Sequence, residues 1–392
     1  MESSNLEGKV LEMFEVGPCR DAYQMGLLIG QRFSNLIRSR LAKDLILQEQ
    51  LLPFAQTPQA QPLIKALTDN NQKKFPRYWD ELLGTAEGSG VPVLHIILIN
   101  LRKEIIPFLP KTTIISNADT PDDCSDVLIV SDSIAMAAHN EDGNVALLGH
   151  TYLIKAMLPN GLSFIAYTYA GELPSCAFGF NSHGLAFTLN AVPPTEDEIV
   201  AGGIGRNFIS RDLLEASGID DALTRIRSSA EVSVGHNYNL IDTRTRKILN
   251  VETASRNRIS IREVGETPFF HANMYLHLPV QQVQDENSIS RQKRAALLPK
   301  GSRNEFLSLL GDIDDTKYPI YMTGNLKNIR IPCLNTLLII LYAIFSGPTL
   351  YTLCTAVIDL DEQTLSIIEG NPKEGEASHV FTMSSKEIKM PQ

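Results

Sequence analysis

A formal net charge of −10 over 392 residues, 20% of them charged, sets this chain apart from general nucleic-acid binders, which carry a basic surplus. Its 43% apolar content is enough for one large core or two ordinary ones. The five cysteines (Cys19, Cys124, Cys176, Cys333 and Cys354) are scattered, with no closely spaced pair, which argues against a zinc site or a disulfide framework.

An odd, dispersed cysteine set fits a reducing compartment. The start, Met-Glu-Ser-Ser-Asn-Leu-Glu-Gly, lacks the basic and apolar stretches of a signal peptide, so a cytoplasmic location is expected. The densest apolar run, Leu334 to Phe345, falls short of the roughly 18–20 residues of a membrane span and reads as a buried segment.

In chain order, the first third reads as helical. Between Asp21 and Leu52, apolar positions such as Tyr23, Leu27, Phe33, Ile37 and Leu41 recur at three- and four-residue steps, the stripe of one amphipathic helix. A second helix is predicted from about Pro76 to Ala86, stopped by the glycines at 88 and 90. Residues 110–123, polar with two prolines and three acids, read as a linker.

After Cys124 the pattern changes to strands. Val127–Val130 and Ala135–Asn140 come first, then a turn at Glu141-Asp142-Gly143-Asn144 and renewed extended structure at Val145–Leu148. Pro159-Asn160-Gly161 and Asn181-Ser182-His183-Gly184 are hairpin signals. Helices follow near Phe208–Ala216 and Asp220–Ser228, the latter with Asp220 as its expected N-cap. Strands Tyr238–Ile241 and Ile248–Val251 then flank a turn. This order points to an antiparallel α+β layer structure rather than a βαβ nucleotide fold.

The residue at the doorstep of the first strand is the chemical question. A thiol with an ordinary pKa near 8.5 is mostly protonated at neutral pH and needs a base or a cation beside it. His139, His150, His183, His236 and His271 are available, and spacing singles out none of them. Alternatively, scission of the Asp123–Cys124 bond gives Cys124 an α-amine of pKa about 7.7–8.0 that takes the proton itself. Residue types alone leave both options open.

A series of motifs carries a resemblance. Tyr23-Gln24-Met25-Gly26 with Gly30, Cys124-Ser125-Asp126, Asn140-Glu141-Asp142 and Gly179 to Ala186 with Asn190 come first. Asn237-Tyr238 with Val251-Glu252, Phe270-His271-Ala272-Asn273, Ser290-Arg291 and Gly370-Asn371-Pro372 follow in that order. Together they resemble the N-terminal nucleophile hydrolase family that includes acyl-CoA:6-aminopenicillanic acid acyltransferases and β-alanyl-dopamine hydrolases. Two places depart from its pattern. Asp123 stands where the family usually has glycine, and the apolar stretch before Tyr351 is longer than usual.

The resemblance implies an α+β fold, a four-layer αββα sandwich of antiparallel sheets. It implies a precursor that cuts itself between Asp123 and Cys124 into a helical α subunit (1–123) and a catalytic β subunit (124–392), held together as an α/β heterodimer. Cys124 is then the nucleophile of an amide hydrolase or N-acyltransferase, Asp142 orients its amine or the substrate, and Asn237 supplies an oxyanion donor. Arg291, Ser290 and His271 are the implied substrate-binding residues. No metal or organic cofactor is implied, although acyl-CoA is a possible co-substrate; the partner is a small amide or amine, with neither nucleic acid nor membrane. The rival expectations are an uncleaved binding protein and a self-processing peptidase.

Overall fold

The computed structural model describes residues 11–110, 123–229, 231–324 and 350–383. The central part of the linker read at 110–123 and the whole apolar run 334–345 lie outside these residues, as does Cys333.

The chain begins with β1 (Met13–Val16) and a set of helices. These are α1 (Ala22–Arg32), α2 (Ser34–Lys43), a π-helical turn (Ile46–Leu51) leading into α3 (Leu52–Ala55), α4 (Gln61–Lys74), α5 (Pro76–Ser89), α6 (Val93–Asn100) and α7 (Arg102–Ile105). Strands β2 (Asp123–Val130), β3 (Ala135–Gly143), β4 (Thr151–Met157), β5 (Ser163–Tyr169), β6 (Phe178–Asn181) and β7 (Leu185–Ala191) follow. Then come α8 (Arg206–Leu213), α9 (Ile219–Ser228), β8 (His236–Asp242), β9 (Lys247–Ala254), β10 (Arg258–Glu263) and β11 (Phe269–His271). The order closes with α10 (Glu286–Leu297), α11 (Arg303–Leu310), β12 (Tyr351–Asp359), β13 (Thr364–Ile368) and β14 (Ala377–Thr382).

The strands form two sheets. An eight-stranded sheet runs β1-β4-β5-β6-β7-β8-β9-β10, and a six-stranded sheet runs β11-β2-β3-β12-β13-β14. All neighbours are antiparallel except β1, which adds to β4 in parallel at one edge. Alternation of side chains gives each sheet two buried faces.

One face of the large sheet (Tyr152, Ile154, Phe164, Phe187, Leu240, Val251) packs under the amino-terminal helices and α8–α9. Its other face (Leu153, Ile165, Tyr167, Phe178) meets Leu128, Ala137, Ala356 and Ile367 of the small sheet. The outer face of the small sheet (Val127, Met136, Ala138, Val357) packs on Ala295, Phe306 and Leu309 of α10 and α11. Three apolar seams thus join four layers, the αββα arrangement.

Several local expectations needed correction. The stripe over 21–52 is one helical segment in pattern but not in backbone: the chain bends at Phe33 and Asp44, so the apolar positions are spread over separate helices. The turn expected at Glu141–Asn144 is strand as far as Gly143, because β3 is paired on both sides, by β2 and β12, and that pairing overrides turn propensity. Val145–Leu147 is a short 3₁₀ turn rather than a strand, capped by Asn144 Oδ1 accepting from the Ala146 N–H at 2.9 Å. The N-cap of α9 is Gly218, and Asp220 lies in the first turn.

Gly26 and Gly30, read from the sequence only as part of a motif, have a packing role. They face Gly84 and Gly88 of α5, and a Cβ on any of the four would run into backbone atoms of the other helix. Two glycines four apart on each helix therefore let α1 and α5 cross at backbone contact. Gly84→Ala is expected to destabilise the fold by about 1–3 kcal/mol through overpacking. Gly265→Ala, where a Cβ meets nothing within 4 Å, is the near-neutral control. Urea unfolding of the two variants checks this.

Candidate active site

The register of the β2–β3 hairpin builds the site. Cys124 stands opposite Glu141, Asp126 opposite His139, and Asp123 opposite Asp142. By alternation, Cys124, Asp126, His139 and Glu141 share the face that looks between the sheets, where Leu128 and Ala137 continue it. Asp123, Ser125, Asn140 and Asp142 share the face toward α10 and α11, where Val127 and Ala138 continue it.

On the inter-sheet face Cys124 is 2% exposed, and its thiol donates to Glu141 Oε2 at 3.3 Å. That oxygen is 2.9 Å from His139 Nε2, and His139 Nδ1 is 3.0 Å from Asp126 Oδ1. Tyr169 of β5 donates to Glu141 Oε1, and Thr188 of β7 donates to Asp126 Oδ1 at 2.7 Å. Burial opposes charge on His139, but Asp126 and Glu141 together overcome it and push its pKa up to about 10. At neutral pH the ring is therefore an imidazolium, held between the side chains of Asp126 and Glu141.

The ligand atoms of Cys124, His139 and Glu141 lie within 4.8 Å of one another, a donor set of the kind that holds a divalent metal. Here the imidazole and carboxylate are hydrogen-bonded to each other, which accounts for their closeness without an ion.

The opposite face centres on Arg291, which is fully buried. Its guanidinium donates to the Cys124 carbonyl oxygen at 2.7 Å, to Ser125 Oγ at 2.9 Å, to Asn273 Oδ1 at 2.9 Å and to Asn287 Oδ1 at 3.0 Å. Asn287 in turn donates to Asp123 Oδ2 at 2.6 Å. Strand β11 stops at His271, opposite Asp126. Two residues on, Asn273 reaches back with its side chain and accepts from the Cys124 N–H at 2.8 Å. Its own amide donates to the Ala191 carbonyl at 3.0 Å.

Asp142 is fully buried. Its Oδ1 accepts from Thr352 at 2.5 Å, and its Oδ2 has no hydrogen-bond partner. Burial, aided by Asp123 and Glu141, outweighs Arg291 and Thr352 and raises its pKa to about 7.

Across the inter-sheet space runs a ladder of amides. Asn239 donates to Thr188 Oγ1 at 2.9 Å, and Asn250 donates to both Asn239 Oδ1 at 2.7 Å and Asn237 Oδ1 at 2.9 Å. Asn237 donates to Asn190 Oδ1 at 3.2 Å, and the buried Nδ2 of Asn190 is left without a partner. Beside Asp123 and Asn273 opens a cleft of about 330 Å³, walled by Ile106, Val192, Ile199 and Val283, with Lys103 and Arg206 also on it.

Of the residues singled out from sequence, Asp123, Cys124, Asp142 and Arg291 converge on one peptide bond, and Asn237 lies on the amide ladder. Ser290 is placed elsewhere, its hydroxyl donating to Asp315 at 3.0 Å. His271 bonds Glu252 at 3.3 Å. Burial of Glu252 is outweighed by that bond and by the N–H groups of Leu276 and Leu278, which hold its pKa down to about 2. Sequence reasoning gave no role to Glu141, Asp126 and Tyr169, carried Asn273 only as part of a motif, and did not distinguish His139. A hairpin register carried from the turn at 131–134 would have paired 124 with 141.

A family model described as acyl-coenzyme A:6-aminopenicillanic acid acyl-transferase matches residues 131–349. The beta-alanyl-dopamine/carcinine hydrolase of Drosophila melanogaster is 27% identical over 380 residues, covering 90% of this chain and 92% of the relative. Among solved structures, penicillin V acylase from Agrobacterium tumefaciens aligns with 63% of this chain and 83% of its own, at 13% identity and a TM-score of 0.32. A variant of conjugated bile acid hydrolase from Clostridium perfringens aligns with 69% of this chain and 95% of its own, at 12% identity and a TM-score of 0.37.

The raised pKa of Asp142 has a consequence for stability. Its folded value, about 7, lies above the ordinary carboxylate value near 3.9, so the folded state holds an extra proton between the two. Stability therefore falls as pH rises through that window. In a Cys124→Ala background, adding Asp142→Asn should raise stability at pH 8 relative to pH 4 by about 1–3 kcal/mol. Denaturant unfolding at both pH values checks it; an unchanged gap contradicts it.

Proposed function

Because the chain belongs to the acyl-coenzyme A:6-aminopenicillanic acid acyl-transferase family, whose match spans more than half of it, we propose that it cuts itself at Asp123–Cys124 and then hydrolyses or transfers N-acyl groups through Cys124. The observation that carries this reading is the socket around one backbone nitrogen. The Cys124 N–H is bound by a side chain, Asn273, which is itself fixed by Arg291 and Ala191. Close by is Asp142, with a buried carboxylate oxygen that no donor satisfies. A buried acceptor without a donor is costly. A new α-ammonium at Cys124 supplies the missing donor and favours ionised Asp142.

In the first step the sulfur attacks the Asp123 carbonyl carbon and the C–N bond breaks, leaving a thioester and a free amine. Water then hydrolyses the thioester, releasing the Asp123 carboxylate and restoring the thiol. In each later turnover the α-amine takes the thiol proton, directly or through a water. The sulfur attacks the substrate carbonyl, the leaving amine departs, and the S-acyl enzyme passes its acyl group to water or to another amine. An acyl-coenzyme A thioester is the natural donor in the transfer direction.

Asn237 and the unpartnered amide of Asn190 serve the developing oxyanion. The helical segment 1–123 stays bound after scission as the α chain, since α1–α7 share a continuous apolar seam with the large sheet. The Drosophila relative's name is that of a hydrolase of a β-alanyl amine, so small N-acyl amines head the substrate panel. The largely apolar cleft beside Asp123 suits such ligands.

Intact mass of purified wild type beside Cys124→Ala tests the reading. Two fragments in the wild type and one undivided chain in the variant are expected; one chain in both overturns it. Asn237→Ala is expected to lower kcat on the best amide by about 10²–10³-fold, as loss of one oxyanion donor does.

A further inference from the structure

Before scission there is no α-amine at Cys124, so the first proton transfer needs another acceptor. Three carboxylates surround the scissile bond, and the hairpin sorts them by face. Asp123 and Asp142 lie on the α10 side, engaged by Asn287 and by Thr352. Glu141 is on the side of the sulfur and is the carboxylate to which the thiol donates, at 3.3 Å.

We propose that Glu141, held by His139, Asp126 and Tyr169, is the base that removes the Cys124 thiol proton during self-cleavage. This rests on the self-processing reading above. The proton moves from Sγ to Glu141 as the S–C bond to the Asp123 carbonyl forms, and passes to the Cys124 nitrogen as the C–N bond breaks. Atoms and charge balance without a further reactant.

Two features fit Glu141 for the task. It is the carboxylate on the sulfur's own face of the hairpin, directly opposite Cys124 in register. The carboxylate is also clamped on both oxygens, by Tyr169 at Oε1 and by His139 at Oε2, so it is aimed before the reaction begins. His139, Asp126 and Tyr169 are positioning residues. Among the described residues, the titratable groups facing Glu141 include Cys124 on β2, His139 on its own strand, Tyr167 and Tyr169 on β5, and Cys354 on β12; Asp142 is its chain neighbour. Arg40 lies over the Tyr169 ring at 5.5 Å.

The test follows scission of the freshly synthesised full chain in a cell-free system, by intact mass, as a function of pH. Wild type should speed up with pH and level off once Glu141 is ionised. Glu141→Gln should be slower at pH 7 by about 100-fold or more, within the range of a lost general base, with a rate that keeps climbing into the alkaline range. Glu141→Asp should recover part of the rate. Resistance to trypsin checks folding of each variant.

Should Glu141→Gln not fold, Tyr169→Phe carries the test. It removes one hydrogen bond to the carboxylate, so the rising limb of the pH profile should move to higher pH. A Glu141→Gln chain that cuts itself at the wild-type rate, or a Tyr169→Phe profile that does not move, overturns the proposal while leaving self-cleavage standing. A wild type that stays whole overturns both.

Discussion

The pairing register of a single hairpin organises everything around Cys124. With 124 opposite 141 and 126 opposite 139, the period of two along each strand separates two sets of polar groups by the thickness of a sheet. Sulfur, carboxylate and imidazolium face the inter-sheet space; the backbone nitrogen and its neighbours are served from the helix side by Arg291 and Asn273. A slip of one residue would exchange the two sets. That register is locked by burial on both faces, with Leu128 and Ala137 in one seam and Val127 and Ala138 in the other.

Burying so many charges is tolerable because nearly all are matched. His139 is shared by two carboxylates, Arg291 is spread over five acceptors, and Glu252 collects the N–H groups of residues 276–278. Among the buried atoms left without a partner are Asp142 Oδ2 and Asp126 Oδ2, on the two faces of the hairpin, and Asn190 Nδ2 on the large sheet. Buried atoms left without partners are where substrate or a new chain terminus gains most from binding.

Much of the fold was legible because its signals are local. Pro159-Asn160-Gly161 and Asn181 to Gly184 are turns whichever sheet they serve, and both fall between paired strands. The four-layer arrangement followed from the family resemblance, and the three apolar seams bear it out. What local signals could not give was tertiary: Glu141-Asp142-Gly143 has the composition of a turn and is strand because partners on both sides demand it. The same misreading hid Glu141, since a residue assigned to a turn has no cross-strand neighbour. The role of Asn273, a residue visible only within a motif, was hidden for another reason: it depends on β11 ending two residues before it, which no local pattern encodes. The glycines of α1 and α5 were visible as a motif, but their meaning as a helix crossing needed both helices at once.

In the proposed reaction Cys124 acts only as the first residue of a chain. Amino-terminal sequencing of the larger fragment in an active preparation measures this directly. The expected reading is Cys-Ser-Asp-Val-Leu, with turnover abolished when that cysteine is alkylated. Any other starting residue for that fragment, or full turnover by an undivided chain with its thiol blocked, would contradict it.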